Sequence, residues 1–352
     1  MTMAARTMRV MQIHRYGGPE ELKLETQPCP IPQAGEALVR VYAAGVNPLD
    51  WKIRQGLIQM VQPIQFPYTP GIEEAGVVEA IGADVTDFAP GQAVYGSVAG
   101  GAYAEYLAVP SEGLARKPDT LTFVEAAAVP VGLTTAWRTL FDHGALQAGQ
   151  RVLIQGAAGG VGLFALQLAK WKGAEVIGTA SSANVEFVRS LGADMVVDHT
   201  TTTLEDVVHD VDLALDAVGE ATLLHTLATL KRGGTLISIA GPPPLEQAQA
   251  RGVRALMSRG AASVPFRALS QMIEEGQLSV TVGKTFALSK AQQAHEEGQR
   301  GHGRGRIILR VVEEGRDLSS STQPAPDVTP HHCSSEPQED LCANAQRPQV
   351  AR

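Results

Sequence analysis

The first third of the chain, to about Val129, carries short runs in which apolar and polar positions alternate. EALVRVYAAGV, AGVVEAIGA, GQAVYGSV and GAYAEYLAV are each bounded by Gly or Pro. A period of two between turn residues predicts strands, and so a compact, mostly β domain. From Arg151 the pattern changes. RVLIQG is a short apolar run, and GVGLFALQLAKWKG after it has apolar residues at helical spacing. EVIGTAS, a helical VEFVRSLG, DLALDAVG, a helical ATLLHTLATLKRGG and TLISIAG continue the alternation. Short apolar strands between helices predict a parallel sheet covered on both faces, which makes the chain α/β. After GRIILRVV, residues 313–352 hold five Pro, many Ser, Thr and Gln, and almost no large apolar group. That composition predicts a disordered tail. No repeat at a fixed period is present.

Length and charge narrow the possibilities further. The 352 residues suffice for two cored domains, and 44% hydrophobic with 19% charged residues is an ordinary globular balance. A net charge of −8 makes a nucleic-acid partner an unlikely expectation, since that needs a basic face. No run of eighteen apolar residues and no signal-peptide pattern occurs, so the cytoplasm is the expected location. Three Cys, at 29, 333 and 342, form no disulfide framework and fit a reducing compartment.

The most informative stretch is RVLIQGAAGGVGLFALQLAK. A strand ends at Gln155, the turn GAAGGVG follows, and a helix begins near Gly160. Small residues there let backbone N–H groups approach a pyrophosphate at a helix N-terminus. Ala157, Gly159 and Gly162 take the fingerprint positions, with Ala157 in place of the first Gly; Ala158, Gly160 and Val161 complete the turn. A nicotinamide dinucleotide is the expected ligand. An NAD site places Asp or Glu about 20 residues on, to hold the ribose 2′-hydroxyl. The second strand instead ends in GTASSAN, without a carboxylate. Thr179, Ser181, Ser182 and Asn184 are left to meet a 2′-phosphate, and the expected cofactor is NADPH. No Arg or Lys stands in that turn, so the positive charge has to come from elsewhere.

GVNPLDWKIRQG, FPYTPGIEEAGVV, GLTTAW and GAAGGVGLFALQLAK together resemble the zinc-free, zeta-crystallin-like quinone oxidoreductases of the medium-chain dehydrogenase/reductase superfamily. The likeness runs over roughly residues 8–312. It implies a GroES-like catalytic domain over 8–130, completed by 284–312, around a Rossmann cofactor domain over 131–283, with the tail outside. It also implies a homodimer. In the zinc alcohol dehydrogenases of the superfamily, the corresponding metal ligands are a Cys at Asn47, a His at Ile72 and a Cys near Val131. None of these offers a thiolate or imidazole, and the four-Cys structural zinc lobe is missing too, so no zinc is expected.

Without a Lewis acid the natural acceptor is already electron-poor. Hydride adds to a conjugated carbon of a quinone or enone, and charge develops on an oxygen that needs hydrogen-bond donors. The resemblance places Asn47 facing nicotinamide and substrate, where its N–H₂ can bind the carbonyl, and Thr134 beside the nicotinamide ring. Asn-Pro is equally a turn signal. Tyr68, Tyr95 and Lys52 are cleft candidates whose plainer reading is packing or a solvated charge. His199 falls where relatives carry Tyr beside the 2′-phosphate. Arg300, Arg304 and Arg306 are the nearest basic cluster. Ala217, Val218 and Gly219, with Ala240 and Gly241, end strands that face the ligand crevice of such a sheet.

Other motifs fail. GKT at 283–285 lacks the first Gly of a P-loop, and no G-x-S-x-G occurs. His295-Glu296 lacks the second His of H-E-x-x-H. The expectation is a zinc-independent NADPH reductase of quinones or α,β-unsaturated carbonyls, a small-molecule substrate in either case. The alternatives are a crystallin-like NADPH-binding module with little turnover and a zinc-type alcohol dehydrogenase.

Overall fold

The computed structural model describes residues 6–312 apart from 261, 264, 265 and 302. The disordered tail expected over 313–352 lies outside the described residues. The N-terminal strands are β1 (Thr7–Gln12), β2 (Lys23–Pro28), β3 (Glu36–Val46), β4 (Glu73–Ile81), β5 (Ala93–Ser97), β6 (Tyr106–Pro110) and β7 (Leu114–Arg116). The central strands are β8 (Arg151–Gln155), β9 (Glu175–Ala180), β10 (Met195–Asp198), β11 (Val211–Asp216), β12 (Leu230–Ser238) and β13 (Arg254–Met257). The last described strands are β14 (Val282–Ala287) and β15 (Arg306–Arg310). Its helices are α1 (Pro48–Arg54), α2 (Phe123–Ala126), α3 (Pro130–Trp137), α4 (Gly162–Trp171) and α5 (Val185–Ser190). α6 (Leu204–Val207), α7 (Glu220–Thr229), α8 (Leu245–Ala250), α9 (Phe266–Glu274) and α10 (Ala291–Arg300) follow.

The central strands make one parallel sheet in the order β10-β9-β8-β11-β12-β13. Their apolar runs are buried on both faces: Val152, Leu153 and Ile154 are fully shielded, as are Ala214 and Leu215. This is the doubly wound Rossmann arrangement, with its switch point between β8 and β11, where ligands bind beyond the carboxyl ends of the strands. The other large sheet runs β14-β15-β3-β4-β5-β7, with β6 also on β3. Its pairs are antiparallel except β14 with β15. A GroES-like β domain therefore takes its last strands from the end of the chain, with the Rossmann unit between.

Three segments depart from their sequence reading. The strand read as AGVVEAIGA begins two residues earlier, so Glu73 and Glu74 lie in β4 and point to opposite faces. Only the second half of GAYAEYLAV is strand. Gly101, at φ +96, turns the chain, and the N–H groups of Ala102 and Tyr103 bond Gly71 and Pro70 instead of a ladder. LKRGG, read as the end of a helix, belongs to β12. Leu230 is already extended, and Gly233 sits at φ +82.

Candidate active site

The glycine turn follows β8 and leads into α4. Gly156 adopts φ +73, and a Cβ on Gly162 would lie 2.2 Å from the Gly156 carbonyl oxygen, so neither tolerates a side chain. Thr179 props the turn from below: its Oγ1 donates to Gln155 Oε1 at 2.6 Å and accepts from the Gly156 N–H at 3.1 Å. Thr179 and Ala157 are thus buried supports, and their side chains do not face a ligand. Ala158, Gly159, Gly160 and Val161 form the outer turn. Leu163 and Ala165 N–H at the start of α4 already bond the Gly159 and Val161 carbonyls at 3.0 and 2.9 Å, so an anion here would meet the remaining N–H groups of the turn and the positive end of the helix. A second segment lies against it. The Gly305 N–H donates to the Ala158 carbonyl at 2.8 Å, and Gly159 bridges Gly305, so Arg304 and Arg306 flank the turn.

At the end of β9 the side chains are already engaged. Asn184 is buried and its Nδ2 donates to Ser181 Oγ at 3.2 Å. Ser182 Oγ donates to Asp198 Oδ2 at 2.5 Å. Asp198 comes from β10, in register with Ala180, and hydrogen bonds from Ser182 and Thr200 hold its carboxyl below the usual range. His199 is exposed, one residue on. Arg304 comes close to α5, its guanidinium 5.4 Å over the ring of Phe187. Across the crevice, buried Asp216 accepts from the N–H groups of Val218 and Gly219 at 3.0 and 2.8 Å, which shapes the loop after Ala217. A Cβ on Gly219 would come within 3.3 Å of Ala240 Cβ, so the ends of β11 and β12 meet there. Gly241 has open space where a Cβ would stand.

Asn47 ends β3 and caps α1, with Pro48 in the first helical position and its own N–H held by Asp50 Oδ2 at 2.7 Å. Its side chain points away from the helix. Nδ2 donates to Glu73 Oε1 at 2.7 Å, and Oδ1 accepts from Arg306 Nη2 at 2.8 Å. Arg306 also bonds Glu73 Oε1 directly, and the Val131 N–H closes on Glu73 Oε2 at 2.9 Å. The Arg306 and Glu73 side chains are 4% and 0% exposed. Burial pulls the guanidinium down to about 10 while Asp50 pushes it back up, so it remains charged at neutral pH. Gly45 makes room for Glu73, since a Cβ there would lie 2.1 Å from Oε1. Gly160 does the same for Arg306, whose Nη1 would come within 2.6 Å of a Cβ. Arg306 therefore joins the phosphate turn to Asn47.

The same residues decide how the place fits a metal. The ligand positions carry Asn47, Ile72 and Val131, and both carboxylate oxygens of Glu73 are taken up by an amide, a backbone N–H and a guanidinium. A fixed cation already balances the one acid, and zinc's preferred donors are absent. Among the described residues no three His, Cys, Asp or Glu side chains gather to hold a metal ion.

A second buried chain runs behind α1. Tyr103 Oη donates to Asp50 Oδ2 at 3.0 Å, and His295 Nε2 lies 3.2 Å from the same Oη. Arg54 Nη1 lies 3.2 Å from His295 Nδ1. Burial lowers His295 to about 3, so it is neutral; Nδ1 accepts from Arg54, and Nε2–H then donates to Tyr103. Every donor points toward Asp50, whose Oδ1 also takes the Gly71 N–H at 3.3 Å. Sequence reading missed this set. The one local signal was the Asn47-to-Asp50 spacing of a capping box. His295 had been weighed only as a metal ligand.

Of the cleft candidates, Tyr68 is half-buried with its hydroxyl against Gly100, and burial pushes it up to about 12, so it stays protonated. Lys52 Nζ donates to the Ala240 carbonyl at 3.0 Å, tying α1 to the end of β12. Thr134 Oγ1 donates to the Pro130 carbonyl at 2.7 Å, inside its own helix. Tyr95 is fully buried in the core, edge-on to Phe266.

Residues 33–119 match the model of the alcohol dehydrogenase GroES-like domain, and 191–309 match the model of the zinc-binding dehydrogenase domain. The chain is 33% identical to a mouse quinone oxidoreductase, covering 88% of this chain and 99% of that one. The structure of a quinone oxidoreductase from Coxiella burnetii superposes with a TM-score of 0.80 at 30% identity, over 87% of this chain and all of that one. A mycobacterial protein complexed with NADPH superposes with a TM-score of 0.78 at 31% identity, over 86% of this chain and 100% of that one. No helix among the described residues is long and apolar enough to cross a membrane.

Proposed function

Since the chain belongs to the quinone oxidoreductases of the medium-chain dehydrogenase/reductase superfamily, we propose that this oxidoreductase works without zinc, uses NADPH, and reduces quinones or α,β-unsaturated carbonyls. The observation that carries the reading is the closed Glu73–Arg306–Asn47 cluster, which supports a protein cation in place of a metal. Elemental analysis showing stoichiometric zinc, lost together with activity on chelation, would overturn it.

NADPH in this site would supply the hydride; the chain's own residues hold and polarise. The turn 156–162 and the start of α4 receive phosphate. Arg304 and His199 stand where a 2′-phosphate needs cations, and the mycobacterial relative holds NADPH. Asp198 opposes them, which makes the preference a balance of local charges. The expected kcat/KM is higher with NADPH than with NADH. Ser181→Asp is expected to shift the ratio toward NADH, and Arg304→Ala to lower NADPH use alone. Equal or better use of NADH by the wild type would sink this assignment.

Asn47 Nδ2 carries two N–H bonds, and Glu73 takes one. The other is the donor proposed for the acceptor oxygen, while Tyr68 or water supplies the proton. A donor of this kind is worth about 10²–10³ in rate. Quinones delocalise the developing charge better than enones do. Asn47→Ala is therefore expected to lower kcat/KM for enones by that factor and for quinones by less. Since Asn47 also braces Glu73 and Arg306, some thermal stability is lost too. Equal loss for both acceptors would reduce Asn47 to a brace. A homodimer, resting on resemblance, and a cytoplasmic location, resting on the sequence pattern, remain part of the proposal; light scattering near the monomer's 37.2 kDa would remove the dimer.

A further inference from the structure

From Gln55 to Ile72 the chain has no charged residue. Most apolar residues of such a run would be buried in a soluble protein, yet four here are exposed: Leu57 at 68%, Met60 at 93%, Val61 at 70% and Phe66 at 39%. The segment is held in shape. Leu57 N–H bonds the Lys52 carbonyl at 3.0 Å, and the N–H groups of Val61 and Gln62 bond the Ile58 carbonyl at 3.0 and 2.8 Å. Phe66 is braced edge-on by Tyr16, with ring centroids 5.0 Å apart. Both ends of the loop are rooted in the candidate site. It leaves from α1, which Asn47 caps, and returns through Tyr68 and Gly71, whose N–H bonds Asp50. Glu73 follows two residues later. An uncharged, hydrogen-bonded loop with four exposed apolar side chains set among Gln59 and Gln65 therefore rises beside the candidate acceptor site.

We infer that this loop binds a hydrocarbon tail carried by the acceptor, so that the substrate class is a quinone or enone bearing an alkyl or isoprenoid chain. This rests on the reductase reading above. Two other occupants fit less well. A stable pair of chains buries about 800 Å² on each partner, from about 20–30 residues a side, far more than four side chains provide. An anionic membrane surface attracts Lys and Arg, and the loop has none on a chain of net charge −8. A flexible tail needs only a strip of apolar side chains along its length, which is what this loop offers.

A series of 2-alkyl-1,4-benzoquinones from methyl to decyl, each below its aggregation concentration and with NADPH saturating, tests this. Full burial lowers KM by about fourfold per methylene, and an open groove by less. The wild type is expected to show a decyl KM at least about tenfold below the methyl KM. In the double variant Met60→Gln, Val61→Asn the decyl and methyl values are expected to differ by less than about threefold, with an unchanged Tm, because both side chains are exposed. A flat series in the wild type, or the same gain in the variant, would overturn the tail site while leaving the reductase standing. A variant that loses a subunit by light scattering yet keeps the tail gain would give the patch to a second copy and overturn it as well. If neither this series nor a matching series of alkyl enones is turned over, the reductase reading fails and the tail site with it.

Discussion

Arg306→Met is expected to lower the unfolding free energy by about 3–5 kcal/mol, the usual cost of leaving a buried charge without its partner. Glu73 is fully buried, and in this variant it keeps only the Asn47 amide and the Val131 N–H. Glu73→Gln alone is expected to cost a similar amount, since it strands the guanidinium instead. The double variant Arg306→Met, Glu73→Gln removes both charges and is expected to recover much of the loss, because the pair's attraction is largely offset by its desolvation. Denaturant titration of the four proteins forms the cycle. Additive losses would mean that the two groups do not act as a pair. NADPH binding is expected to weaken in both Arg306 variants, since the same side chain lies against Gly160 of the phosphate turn.

Glu74→Leu is expected to do the opposite and stabilise the protein. Glu74 lies in β4, opposite Ala44 and Gly96, fully buried, and neither carboxyl oxygen finds a partner among the described residues. Burial alone pushes it well above its ordinary 4.5. It is therefore protonated in the fold at pH values where the unfolded chain has already released the proton. The sign follows: its contribution is intact below about 4.5 and is lost as pH rises toward the folded value, at about 1.4 kcal/mol per pH unit. An unpaired buried polar group costs about 1–3 kcal/mol besides. Thermal melts between about pH 5 and 8 are expected to decline more steeply for the wild type than for the variant. Parallel curves would show that Glu74 finds a partner in solution.

What the sequence revealed was local chemistry. The glycine turn, its strand and its helix are contiguous, so spacing alone located the strand–turn–helix unit and the sheet class. Asn47 stood out for the same reason, as a polar residue between a strand and a Pro. Its partners were hidden by distance along the chain: Glu73 is 26 residues away and Arg306 is 259. Periodicity says nothing about which remote residues meet. Asp198 escaped notice because it reaches the end of β9 from the neighbouring parallel strand rather than from the turn itself. Thr179 sits in the right segment, but strand alternation turns its hydroxyl under the turn. In the sequence Arg306 reads as a ligand for the cofactor; its firm partners are an acid and an amide of its own β domain.

The docking of Gly305 on Ala158 and of Arg306 on Glu73 also bears on how the molecule is made. A ribosome delivers the Rossmann unit whole, and nearly all of the β sheet, well before residue 306 appears. Until then Glu73 has no guanidinium beside it, and the phosphate turn lacks one wall. Loop-closure entropy over so long a separation makes this contact among the last to form. The binding site is thus finished at the end of folding, by a strand only five residues long. A chain stopped before Arg306 has most of its core, yet lacks the strand that carries a guanidinium from the glycine turn to Asn47 and Glu73. Addition of β15, rather than formation of the Rossmann unit, completes the cluster around Glu73.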